Sequence, residues 1–169
     1  MSVDPAKDAA GRAAAALVED GMRLGLGTGS TVDRFLVALA ERGLDVAGVP
    51  TSRATEQRCA ELGVRLLDPA EVAQLDLVVD GADELTSDLV LTKGGGGALL
   101  REKVVAAMGA RFVVIATVDK LVPRLGDTFA VPVEVVPFAL APVRRELEQE
   151  GLEVRERTHA DGASYRTDN

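Results

Sequence analysis

The sequence has no Trp, four Phe and one Tyr, so aromatics make up only 3% of its 169 residues. The core must then be built from Val, Leu, Ile and Ala, which favours close-packed helices on a sheet over stacking surfaces for bases or sugars. It has a single cysteine, Cys59, so no internal disulfide can form; in its helical context Cys59 reads as a small buried apolar residue. It has one His, His159, far along the chain from the acidic clusters, which leaves little for a histidine-based metal site. Basic residues are outnumbered 27 to 19, giving a net charge of −8 that repels nucleic acid and anionic membranes. No run of 18 apolar residues and no signal-peptide pattern occurs, so a cytoplasmic protein is expected.

What is present is an alternation of helix and strand signals. Asp4 and Pro5 read as an N-cap and a first helical position, with Ala10, Ala13, Ala14 and Leu17 at helical spacing and Gly21 as the stop. Strands are expected over 22–26, 46–50, 64–67, 75–79, 89–91 and 112–116. Helices are expected from 32 to Gly43, from a Thr51 or Ser52 cap to Gly63, briefly after Asp68, and over 98–108. Such βαβ order predicts an α/β fold, a mostly parallel sheet flanked by helices, with ligands at the carboxyl ends of the strands. The pattern changes after about Thr128. Residues 1–128 form the expected main domain, and 129–169 begin a smaller α+β domain with strands over 129–136 and 152–158, a helix over 142–150 and a hairpin turn at Asp161-Gly162.

Three segments fall at the expected strand ends. Gly25 to Thr31 joins a strand to a helix; its glycines allow close backbone approach, and Thr28, Gly29, Ser30 and Thr31 offer donors to an anion at the helix N-terminus. It is neither a dinucleotide fingerprint, since Ser30 replaces the last Gly, nor a Walker A loop, since no Lys precedes Ser30. Asp80-Gly81-Ala82-Asp83-Glu84 sets three carboxylates in five residues, suited to polyol hydroxyls; a metal site and a plain acidic turn are the alternatives. Lys93-Gly94-Gly95-Gly96-Gly97 is entropically costly unless a ligand lies against it. Taken alone, Arg101-Glu102-Lys103 beyond it reads more readily as a solvated helix face than as the site of a general base.

Together, Gly-Thr-Gly-Ser-Thr (27–31), Asp-Gly-Ala-Asp-Glu (80–84) and Lys-Gly-Gly-Gly (93–96) followed by Arg-Glu-Lys (101–103) resemble the type A ribose-5-phosphate isomerase family. Lys7, Thr51-Ser52, Asp119-Lys120, the run 131–135 and Thr167-Asp168-Asn169 match as well. The resemblance implies a Rossmann-like fold and interconversion of D-ribose 5-phosphate and D-ribulose 5-phosphate, a step of the pentose phosphate pathway, without metal or cofactor. It makes Glu102 the catalytic base, with Lys93, Asp80 and Asp83 as active-site residues. Thr28 to Thr31, Gly81, Ala82, Gly94 to Gly96, Lys120 and Lys7 are implied as substrate contacts. It also implies a homodimer or homotetramer, with no nucleic-acid or membrane partner. Family members usually continue past the Thr-Asp-Asn segment, so the small domain is expected to be incomplete here. A CoA transferase with a Glu nucleophile and a non-catalytic sugar-phosphate sensor are the rival readings. The short Lys93-to-Glu102 spacing, the Asp80/Asp83 pair and the lack of a DNA-binding segment favour the isomerase.

Overall fold

The computed structural model describes residues 4–169. Its first helix, α1 (Pro5–Ala15), starts as the sequence predicts, with the Asp4 carboxylate accepting from the Ala6 and Lys7 amides. It stops well short of Gly21. Val18 turns fully into the core, and the Arg42 guanidinium donates to the carbonyls of Ala15 and Val18 at the helix end. Gly11 lets α1 cross the helix Ser30–Glu41 closely: a Cβ there would lie 2.6 Å from the Phe35 nitrogen.

The chain then runs through β1 (Arg23–Leu26), α2 (Ser30–Glu41), β2 (Ala47–Pro50), α3 (Arg53–Leu62) and β3 (Arg65–Leu66). Next come β4 (Leu77–Asp80), the short strands β5 (Glu84–Leu85) and β6 (Leu91–Thr92), α4 (Leu99–Met108), β7 (Phe112–Val114) and α5 (Leu140–Gln149). The main sheet is parallel, in the order β3-β2-β1-β4-β7. Leu24, Leu26 and Val79 face α1 and α2 in one buried cluster with Phe35, Leu36 and Leu39. Val49, Val78 and Val105 form the opposite cluster under α4. Each such side chain contributes about 1.5–3 kcal/mol by leaving water. From β1 the chain builds outward through β2 to β3, then returns to place β4 on the other side of β1. That reversal opens a crevice beyond the carboxyl ends of β1 and β4.

Several expected strands are shorter or displaced. Leu75 makes only an isolated bridge to Gly109, and β4 runs on to include Asp80. The strand expected over 89–91 is shifted to Leu91–Thr92, paired antiparallel with Glu84–Leu85. The strands expected over 129–136 and 152–158 do not form ladders. Val131, Val133 and Val136 are exposed, with no neighbouring strand among the described residues, and the later segment makes one bridge, Thr158 to Ser164. A strand without a partner leaves its backbone groups to water.

Candidate active site

The crevice holds the three glycine and acid segments. After β1 the chain turns at Gly27-Thr28-Gly29 into α2. Gly29 has φ 113°, and Gly27 packs so tightly that a Cβ would sit 2.3 Å from Asp80 Oδ1. That closeness allows Asp80 Oδ1 to accept from the backbone amides of Thr28 (3.0 Å) and Gly81 (2.7 Å). The first amides of α2 face the crevice mouth, where Lys7 Nζ donates to Ser30 Oγ at 3.0 Å. The Thr28 hydroxyl is turned inward to Thr51 Oγ1 (2.8 Å), in a hydroxyl network that continues to Thr55 and Ser52. Thr28 therefore offers the crevice its backbone and methyl rather than its hydroxyl.

Lys93 follows β6 and reaches back under the β4 loop. Its ammonium donates to Gly81 O at 2.6 Å and lies 3.0 Å from Asp80 Oδ2 and 3.6 Å from Glu102 Oε1. Asp83 accepts from the Gly95 amide at 2.7 Å, which ties the acidic loop to the glycine loop. Glu102, one turn into α4, is not on a solvated helix face. It is 4% exposed, and its Oε2 is buried without a hydrogen-bond partner. Burial pushes its carboxyl up to about 7. The Lys93 ammonium pulls it back and the Asp80 and Asp83 charges push it further up.

The expected site residues line one cavity of about 180 Å³, except Asp80, whose carboxylate lies beneath the wall. Ile115, Ala116 and Lys120 close its far side. A larger groove of about 600 Å³ runs between α4 and the β2–β3 edge. Its walls are mainly apolar, and none of the expected site residues lies on it.

Glu84 departs from the reading of three carboxylates aimed at a polyol. It is fully buried and faces away from the cavity, accepting from Gly126 N, Thr128 N, Thr128 Oγ1 and Phe129 N at 2.6–2.8 Å. The Thr128 hydroxyl and those amides hold its carboxyl down near 2. Two residues absent from the sequence reading, Arg157 and Tyr165, sit behind the glycine loop and donate to Gly95 O and Gly96 O. The Asp161-Gly162 turn signal makes them cross-strand neighbours, but no local pattern says what the pair docks on.

A family model described as ribose 5-phosphate isomerase A (phosphoriboisomerase A) matches residues 47–169. The chain belongs to this family. The ribose-5-phosphate isomerase A of Nitrobacter hamburgensis is 53% identical over 150 residues, covering 87% of this chain and 64% of that protein. The chain thus spans less than two thirds of that curated relative's length. Among solved structures, ribose 5-phosphate isomerase A from Methanocaldococcus jannaschii superposes with a TM-score of 0.90 at 38% identity, over 96% of this chain and 74% of that one. A D-ribose-5-phosphate isomerase in complex with phospho-erythronic acid gives 0.91 at 35% identity, over 97% and 74%. These likenesses agree with the α/β architecture read from the sequence. No helix among the described residues is long and apolar enough to cross a membrane.

Proposed function

We propose that the protein interconverts ribose 5-phosphate and ribulose 5-phosphate through an enediolate, with Glu102 as the base. The observation that carries this reading is the Glu102 carboxyl, buried at the cavity wall, with a free Oε2 and a pKa near 7. Such a group takes and returns a proton at neutral pH. From the open-chain aldose, Glu102 removes the C2 proton and the electron pair forms the C1=C2 bond, leaving negative charge on O1. The proton returns to C1, O1 gains a proton, and loss of the O2 proton completes the C2 carbonyl. One carboxylate serves both carbons because they are adjacent.

Lys93 is suited to stabilise the oxyanion, and the Gly96 amide is free to add a second donor. Asp80 holds Lys93 in place, and Asp83 orients sugar hydroxyls. The phosphate is assigned to the N-terminus of α2, with Lys7 and Lys120. A related isomerase is in complex with phospho-erythronic acid, a phosphorylated sugar acid, which supports a sugar phosphate as the substrate here. A homodimer or homotetramer belongs to the same reading, supported by Val133, Val136 and the 97% exposed Phe138 on the smaller unit.

The test is ribulose 5-phosphate formation by the wild type and Glu102→Gln, assayed side by side with EDTA present. Turnover that collapses in the variant supports the reading. Binding of sugar phosphate without turnover in the wild type counts against catalysis by this chain and points to a sensor or to a span too short to work.

A further inference from the structure

The glycine loop contains a closed turn. Gly97 N–H donates to Gly94 O at 2.9 Å, so Gly95 and Gly96 are its central residues. Positive φ occurs at Gly94 (102°) and Gly97 (80°) but at neither central position. A type II turn requires positive φ at its third residue, so this turn has the type I sense. The two types differ mainly by a rotation of the central peptide, here Gly95 C=O and Gly96 N–H. Two glycines leave that rotation sterically open.

The peptide is held from outside. Arg157 Nη1 donates to Gly95 O at 2.8 Å, and Tyr165 Oη donates to the next carbonyl, Gly96 O, at 3.3 Å. The guanidinium also lies 3.7 Å over the Tyr165 ring, and Tyr165 N–H donates to Arg157 O at 2.9 Å, so the two form one unit. Neither lines the cavity, whereas Gly94, Gly95 and Gly96 do. In a trans peptide the C=O and the following N–H point in opposite directions. With its carbonyl on Arg157, the central peptide therefore aims Gly96 N–H away from Arg157 and into the cavity. That N–H has no acceptor among the described residues. A flipped turn would instead present the Gly95 carbonyl oxygen to a developing oxyanion.

We propose that Arg157, braced by Tyr165, is a positioning residue that locks this turn so that Gly96 N–H faces the reacting oxygen. The proposal rests on the isomerase reading. Because the phosphate is held elsewhere, the lock acts on turnover rather than on substrate affinity.

The experiment is a double-mutant cycle. Arg157→Ala should lower kcat about 10–100-fold, below the loss from deleting an oxyanion donor outright, with KM within about threefold of wild type. Gly96→Ala penalises the flipped turn, since its third residue would need positive φ, and the added Cβ would meet only Thr28 Cγ2 at 3.4 Å. In that background Arg157→Ala should cost at least about fivefold less. An equal cost in both backgrounds, or a raised KM with unchanged kcat, overturns the lock. If Arg157→Ala folds poorly, Arg157→Lys keeps the charge without the planar fork and should show an intermediate loss of kcat; no loss counts against the proposal. A wild type without isomerase activity refutes the functional reading instead. The Gly96 amide resonance then tests the lock alone: a shift in Arg157→Ala supports it, and an unchanged resonance overturns it.

Discussion

The Lys93 ammonium lies 3.6 Å from Glu102 Oε1, and yet the Glu102 carboxyl titrates near 7 rather than below its ordinary 4.5. The cation is shared: it is closer to Asp80 Oδ2, at 3.0 Å, and to Gly81 O, at 2.6 Å. Glu102 is left with a weak share of the positive charge and the full cost of burial.

The proposed proton-transfer role of Glu102 rests on that balance. With the free protein's base titrating near 7, kcat/KM should rise with pH through about 7 and then level off. Glu102→Gln should lower turnover by about 10²–10⁴-fold and abolish that limb. A pH–rate profile for both proteins checks it; an unchanged limb in the variant would assign the titration to another group.

The same carboxyl has a stability signature of definite sign. Its folded pKa lies above its unfolded value, so the ionised form is disfavoured in the native state. The cost is absent below about pH 4.5, grows between 4.5 and 7, and is complete above 7. Glu102→Gln should therefore raise Tm at pH 8, by a stability gain of about 1–3 kcal/mol, and leave it nearly unchanged at pH 4. Thermal melts at the two pH values decide; equal shifts at both would contradict the buried-charge account.

Glu84 behaves in the opposite way. Its folded pKa, near 2, is below its ordinary 4.5, so its contribution is present above about pH 4.5 and is lost as pH falls toward 2. Glu84→Gln keeps an acceptor for Thr128 and Phe129 but sets an amide donor against Gly126 N–H. The variant should melt lower than wild type at pH 7, with the gap closing toward pH 2. Denaturation across that range measures it, and a constant gap would count against the charge being the cause.

Gly27→Ala tests the tight seat of Asp80. The new methyl would meet Asp80 Oδ1 at 2.3 Å and Asp80 Cα at 2.6 Å, with backbone on one side and a buried carboxylate on the other. Overpacking of this kind costs about 1–3 kcal/mol. Activity should fall as well, because Asp80 supports Lys93. Full activity with unchanged Tm would show that the loop yields without disturbing Lys93.

Lys120 and Lys7 are assigned to the anion. Replacing either by Ala should raise KM for ribose 5-phosphate about tenfold and leave kcat within about threefold, the mark of binding shared by ground and transition states. Steady-state kinetics separates this from a loss of kcat alone.

The sheet was legible because its signals are local: apolar strands bounded by glycines, and caps such as Asp4 and Ser52 that bond as their residue types predict. Two of the three site segments were legible for a related reason, since the carboxyl ends of β1 and β4 lie side by side in the parallel sheet; the third follows β6 of the antiparallel pair and was legible from its glycine run alone. Glu102 illustrates the limit. Beside Arg101 and Lys103 it looks like a surface residue, and only the packing of α4 against β4 makes it buried. Glu84 was misread because adjacent carboxylates in a sequence point to opposite sides of an extended backbone. The segments 129–136 and 152–158 have strand-like composition, but pairing is a property of neighbours rather than of composition.

The groups assigned to the chemistry all occur by Lys120, whereas the turn that receives Glu84 and the pair that grips the glycine loop come later, at Gly126 to Phe129 and at Arg157 and Tyr165. On a ribosome the carboxylate and lysine assigned to proton transfer therefore emerge before the segments that brace the acidic and glycine loops. A nascent chain would carry every one of those groups before its later residues had folded back to hold the loops beside them.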